Sequence, residues 1–261
     1  MGTTCSACPL AICEMIVKNV WREDTDSGWS GAEGAVREGG SAGGRPLGRC
    51  MGGVESVMSS KWPAQGAPWE GIKAMEAGEP ATFGAGCYWG TEKYFARDFE
   101  AEHPGSILAS SVGFMSPDAE AMKNPSYDAV CTGRTGHVEV VHLRFDNSKV
   151  EYEDLCRHLF TFHDPTTLNM QGNDRGTQYA SVIFAHSEEQ LDTANKVKAE
   201  VQQHLSNGKL AGAGFRGNSV TTAVVKATEY FSAEAYHQRY LEKQPGGYCN
   251  HRKRFSWKDL V

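Results

Sequence analysis

The chain lacks any long apolar run: of its 261 residues 40% are hydrophobic, yet nowhere do they gather into the roughly eighteen consecutive positions that a membrane-spanning helix needs. It also lacks an excess of positive charge. Twenty-six Lys and Arg stand against 32 Asp and Glu, a net charge of -6, so the clustered basic surface of a nucleic-acid binder is not expected. No segment repeats, which excludes solenoids and repeat arrays. Metal-ligand spacing is scarce as well: among the eight cysteines only Cys5 and Cys8 have it, no second pair answers them, and Cys13 and Cys50 stand alone, so no metal site is expected. No signal peptide precedes the chain, and the cysteines are therefore read as reduced thiols of a cytoplasmic protein, not as a secreted disulfide scaffold. The acids Glu14, Glu23, Asp24 and Asp26 count against an organelle transit peptide. Met1-Gly2-Thr3-Thr4-Cys5-Ser6 does fit the pattern for N-myristoylation at Gly2, with Cys5 and Cys8 as second anchors, which keeps membrane association as an alternative.

Periodic sequence is missing from the first quarter. From Asp24 to about Gly66 Gly, Ser, Ala and Pro dominate, with no apolar face to offset the entropy of ordering. Residues 1–68 are accordingly expected to be a disordered leader and linker, 69–244 a single catalytic domain, and 245–261 a flexible tail. Within the domain Val138–Phe145 alternates as a strand, Glu151–Phe162 carries helical spacing, and Tyr179–Ala185 is a second strand. Ser187 caps a helix, with Gln190 as the other half of a capping box. Leu191, Ala194, Val201 and Leu205 face inward from it, and Gly208 stops it. Thr221–Ala227 gives a third strand and Ser232–Lys243 a last helix. The elements predict an α+β layer fold, a mixed central sheet with helices packed on it.

Two residues carry chemistry on their own. Cys87, in Gly86-Cys87-Tyr88-Trp89-Gly90, ends the strand-like run Ala81–Ala85 and opens the helical run that follows. The unpaired N–H groups and partial positive charge of a helix N-terminus favour a thiolate, so Cys87 is a nucleophile candidate with a lowered pKa. The plain alternative is an inert buried thiol. Glu139 shares a strand face with Val141, Leu143 and Phe145, the better core candidate of the two faces. A carboxyl buried there stays protonated toward neutral pH and becomes a proton donor; the opposite reading puts Val138 and Val140 in the core and Glu139 in water.

Further runs extend the pattern: Asn124-Pro125-Ser126-Tyr127-Asp128-Ala129-Val130-Cys131-Thr132-Gly133, Thr135-Gly136-His137-Val138-Glu139, His163-Asp164-Pro165-Thr166, Gln171 to Tyr179, and Gly247-Tyr248-Cys249. Together and in this order they closely resemble the peptide methionine sulfoxide reductases of the A type, over about Ala81 to His251. The resemblance implies that Cys87 attacks the sulfoxide sulfur and becomes a sulfenic acid while Glu139 protonates the departing oxygen. Tyr127 and Tyr179 would donate hydrogen bonds to that oxygen, Tyr88 and Trp89 would form the apolar pocket for the substrate methyl, and Asp174 would hold the substrate main chain. Cys249 would be the resolving cysteine, forming a Cys87–Cys249 disulfide that thioredoxin or another dithiol reduces. The implied protein is a monomer without metal or cofactor that acts on the S epimer in oxidised proteins and peptides and on the free amino acid.

The chain departs from that pattern in places. Tyr88 stands where the family usually has phenylalanine, adding a hydroxyl at the pocket rim. Val112–Pro117 and the extra residues Asp118–Lys123 read as an altered loop near the entrance. Cys131 and Cys156 read as inert core thiols, and His251-Arg252-Lys253-Arg254 as a solvated charge run, with the alternative that it favours the Cys249 thiolate or meets an acidic reductase surface. A cysteine hydrolase, which would need an ordered Cys-His-Asn/Asp set, and a non-catalytic binder of methionine sulfoxide are the competing classes.

Overall fold

Parallel strands need a long crossover and antiparallel ones do not, and this rule orders most of the molecule. The computed structural model describes residues 77–260. A six-stranded sheet runs in the order β7-β6-β1-β3-β2-β8. Its strands are β1 (Glu79–Ala85), β2 (Ile107–Met115), β3 (Val138–Phe145), β6 (Ser181–Ala185), β7 (Ala223–Lys226) and β8 (Tyr230–Ser232). β1 lies antiparallel to β3 and β6, β3 to β2, and β2 to β8. Among the described residues only β6 and β7 are parallel, and the crossover between them carries the longest described helix, Glu188–Ser206 (α4). The small hairpin β4 (Met170–Gln171) and β5 (Asp174–Arg175) stands apart. It turns through Gly172 and Asn173 with Gly172 at φ 62, the positive φ that a two-residue turn demands.

The predicted mixed sheet with helices packed on it is what the chain builds. The alternation over Val138–Phe145 marks β3 at both ends. Val141, Leu143 and Phe145 enter the main core with Phe83, Phe95, Leu155, Leu159 and Ile183, and Val138 and Val140 on the opposite face are buried too, so both faces are covered and Glu139 is enclosed whichever face is taken as core. Helix Tyr152–Phe160 (α3) lays Leu155 and Leu159 on that face, and α4 lays Ala194, Val197 and Val201 beside them. Leu191 and Leu205 reach the same core partly buried.

Ser187 caps α4 by accepting from the Gln190 N–H at 3.2 Å, but the capping box does not close. The Gln190 amide instead accepts from His186 N–H at 3.0 Å and donates to Pro80 O at 2.9 Å, tying the helix to β1. β2 had no alternating signal, because eight of its nine residues are buried on one face or the other; Val112–Met115 are therefore strand, not entrance loop. The last helix shrinks to Tyr240–Lys243 (α5). Ahead of it Arg239 takes φ 53, a conformation no helix interior allows. The buried carboxylate of Glu92 holds it there, accepting from Arg239 N–H at 2.7 Å. Gln238 meanwhile bonds the Val112 N–H and C=O at 2.7 and 2.8 Å, which pins residues 233–239 as a turn on β2.

The tail is hydrogen-bonded to the domain over much of its length. Arg252 N–H donates to Phe162 O at 3.2 Å and Arg254 N–H to Thr161 O at 2.8 Å. The Arg254 guanidinium bonds Gly214 O at 3.0 Å, and Trp257 Nε1 donates to Arg157 O at 2.6 Å. Of the run read as solvated, His251 is buried and Arg254 half-buried. The myristoylation pattern at Gly2, the cysteines Cys5, Cys8, Cys13 and Cys50, and the leader of residues 1–68 lie outside the described residues.

Candidate active site

A strand that ends where a helix begins leaves its last side chain in front of free N–H groups. Cys87 occupies that place. Gly86, at φ 91, makes the turn out of β1, and a side chain there would run into Gln171, its Cβ lying 2.5 Å from the Gln171 Cβ. Cys87 then caps helix Tyr88–Glu92 (α1), accepting on its carbonyl from Thr91 Oγ1 at 3.2 Å. The helix continues as a π-helical stretch over Lys93–Phe99 and closes with Glu100–Glu102.

Glu139 comes to the same point from β3. Its Oε2 accepts from the Tyr88 backbone N–H at 3.1 Å, one bond of the helix N-terminus spent on the carboxyl next to the thiol. With only 2% of its surface exposed, Glu139 is pushed up to about 8, burial raising it more than the Tyr88 N–H lowers it. The carboxyl is therefore neutral at physiological pH, as a proton donor must be.

The thiol departs from expectation. Burial raises the Cys87 pKa well above its usual value, charge on Glu139 and Asp174 adds to the rise, and the N–H groups of Trp89 and Gly90 offset only part of it. Helix position alone suggested a lowered value; enclosure at 7% exposure overrides it. Charge on Glu139 opposes a thiolate at Cys87, and burial and Asp174 raise both groups. A thiolate at Cys87 is therefore favoured when Glu139 is protonated.

Around this pair the pocket is aromatic. Tyr88, Val112, Phe114, Val130 and Ala233 form a buried cluster with Cys87, and Trp89, Tyr127 and Tyr179 pack on it half-buried. Tyr88 is 1% exposed, so its hydroxyl is inside and without a hydrogen-bond partner rather than at the rim. Burial raises the phenols of Tyr127, on helix Tyr127–Cys131 (α2), and of Tyr179, on the turn before β6; Cys131 adds to the rise at Tyr127, and the charge of Glu139 adds to both. At neutral pH each hydroxyl keeps the proton it would donate. Asp174 is half-buried at the end of the β4–β5 hairpin, with Tyr248 donating to Oδ1 at 2.9 Å and Asn250 to Oδ2 at 2.7 Å. Both of its oxygens are engaged by the tail.

Two residues escaped the sequence reading. The ring of Tyr240 stacks on Trp89 at 3.8 Å between centroids and 18°. Trp89 Nε1 donates to His237 Nδ1 at 3.2 Å, and that imidazole lies 4.5 Å from the Tyr127 ring. His237 and Tyr240 sit three residues apart around the Arg239 kink, so a helical reading of 232–243 hid that they converge on one indole. Cys131, expected in the core, is exposed, whereas Cys156 is buried.

Cys249 is exposed on the tail, but its sulfur rests on α1. A methyl built on Gly90 would lie 3.0 Å from Cys249 Sγ and would overlap the His251 ring. The glycine that closes the Gly86–Gly90 motif is what lets the tail seat one turn above Cys87.

The family model described as peptide methionine sulfoxide reductase matches residues 79–260. The chain is 45% identical over 173 residues to a peptide methionine sulfoxide reductase MsrA of Salinispora tropica, covering 66% of this chain and 71% of that protein. It is 46% identical over 171 residues to one of Methanoculleus marisnigri, covering 66% and 93%. Among solved structures it resembles the reduced form of Mxr1 from Saccharomyces cerevisiae, with TM-score 0.58 and 34% identity over 68% of this chain and 92% of that one. The methionine sulfoxide reductase A of Corynebacterium diphtheriae gives TM-score 0.55 and 35% identity over 68% and 80%.

Proposed function

The chain belongs to the peptide methionine sulfoxide reductase family, and from that membership we propose that Cys87 and Glu139 together reduce methionine-S-sulfoxide, in proteins, in peptides and as the free amino acid, to methionine. The observation that carries the assignment of roles is the buried Glu139 carboxyl, tied at 3.1 Å to the first N–H after Cys87. A sulfoxide oxygen leaves only when protonated, so a carboxyl that keeps its proton up to about pH 8 suits the step.

In the first step the Cys87 sulfur attacks the sulfoxide sulfur as Glu139 passes its proton to the oxygen, and the proton the Cys87 thiol gives up restores the Glu139 carboxyl. The oxygen is transferred to Cys87, methionine leaves, and the products are a thioether and a Cys87 sulfenic acid. Tyr127 and Tyr179 steady the oxygen as it gains charge, each donor worth about 3 kcal/mol where such donors have been removed from other enzymes. Tyr88, Trp89, Phe114 and Tyr240 offer the methyl group an aromatic wall. Asp174 meets the substrate main chain, and for that the tail residues Tyr248 and Asn250 yield its oxygens.

In the second step Cys249 attacks the sulfenic sulfur, water leaves, and a Cys87–Cys249 disulfide remains. A dithiol reductant then restores both thiols, and thioredoxin has the potential for it. No metal or cofactor enters these steps. No helix among the described residues is long and apolar enough to cross a membrane, and the working assignment is a monomer of the cytoplasm that repairs oxidised proteins.

The assignment is tested by mixing the reduced protein with methionine sulfoxide of each epimer and no reductant. The account expects about one methionine per protein from the S epimer and none from the R; equal yields or none from either would overturn it.

A further inference from the structure

An imidazole with one nitrogen committed and the other idle is a built proton acceptor if a reacting atom lies in front of it. His251 meets the description. Its Nε2 lies 2.6 Å from Ala85 O, and since a carbonyl only accepts, Nε2 carries the ring proton. Nδ1 is therefore a bare lone pair. It is buried and has no hydrogen-bond partner, in a residue only 9% exposed, a costly state for a polar atom unless something uses it. The Cys249 sulfur stands beside it: both atoms crowd the position of a Gly90 Cβ, which places them within about 5 Å of each other, and in this state the thiol donates instead to the His251 backbone carbonyl at 4.0 Å. Ring contacts with Tyr94 at 6.2 Å and Phe162 at 5.5 Å hold the imidazole from the other sides.

We infer that His251 Nδ1 accepts the Cys249 thiol proton as that sulfur bonds to the Cys87 sulfenic sulfur. The inference rests on the reductase reading above and adds a residue to its second step. Cys249–SH and Cys87–SOH become a disulfide and water: the new bond is S–S, the broken ones are S–H and S–O, and the thiol proton travels through the imidazole to the departing hydroxide. Burial keeps the free imidazole neutral, pushed down to about 4. The proton therefore moves while the S–S bond forms, when the thiol is at its most acidic, and not beforehand. The Ala85 carbonyl, two residues before Cys87, sets the tautomer and ties the acceptor to the strand that carries the nucleophile.

The test is a single turnover without reductant, following methionine release and loss of free thiols separately. In His251→Gln the side-chain amide can still donate to Ala85 O but offers no basic nitrogen. Methionine release is expected at the wild-type rate, and disulfide formation at least tenfold slower. In His251→Ala added imidazole is expected to restore a dose-dependent part of the disulfide rate, a response that a merely structural ring would not give. Disulfide formation at the wild-type rate in His251→Gln, or slowing that imidazole leaves untouched, would overturn the inference while methionine release still upheld the reductase. Absence of methionine release from the wild-type protein would instead overturn the reductase reading.

Discussion

The two cysteines assigned to turnover sit in opposite surroundings. Cys87 lies at the junction of β1 and α1 inside a closed aromatic cluster, its neighbours fixed by strand register and helix geometry. Cys249 is itself exposed, on a tail that hydrogen bonds fasten to the domain on either side of it, with its sulfur against Gly90. The contrast teaches that oxygen removal is built into the core, whereas recycling depends on how a surface strap is seated. The two can therefore fail separately.

The largest effect expected is from Cys87→Ser, which abolishes methionine formation with thioredoxin or dithiothreitol; an assay of methionine by chromatography checks it. Cys249→Ser breaks the comparison on the other side. With thioredoxin it stops after about one turnover, while dithiothreitol, which reaches the sulfenic acid directly, still sustains the reaction. Glu139→Gln lowers methionine release about 10²- to 10⁴-fold, the range of general acids, in rapid-quench experiments. Gly90→Ala sharpens the contrast: the added methyl displaces His251 and Cys249, so thioredoxin-driven turnover falls about a hundredfold, as for an ångström-scale misplacement. Dithiothreitol-driven turnover falls much less, because the substitution itself favours the helix by about 1 kcal/mol.

The smallest effect is in the pH profile. Glu139 must be protonated to act, so methionine release falls as pH rises through about 8, by about tenfold per unit above it, and Glu139→Gln removes this limb. Stability follows the same group. The folded chain keeps a proton that the unfolded chain loses above 4.5, so folding stability declines as pH climbs from there to about 8 and levels beyond. Glu92, held up to about 7 by burial, adds to that decline, and thermal melts of Glu139→Gln across this window separate the two.

Where a residue's environment follows from its own neighbours in the chain, the sequence was readable. β3 alternates in sequence, so its ends and the enclosure of Glu139 were legible, but the opposite face with Val138 and Val140 is buried as well, which the alternation did not show. Ser187 was legible because a cap is a local bond. The strand-to-helix turn at Cys87 was legible from its glycines, but the acidity of its thiol was not, since enclosure comes from β2, α2 and the residues before α5. β2 hid because it is buried on both faces. The kink at Arg239 hid because its cause, the Glu92 carboxylate, lies 147 positions away. His237 and Tyr240 were lost with it, and the seating of Cys249 was visible only once Gly90 had a neighbour.

The measurement closest to the central claim is mass spectrometry of a Cys249→Ser protein after one equivalent of methionine-S-sulfoxide. The account predicts one added oxygen on Cys87, trapped by a sulfenic-acid reagent, in equal amount to the methionine released. An unmodified Cys87 with no methionine, or methionine without oxygen on that sulfur, would contradict it.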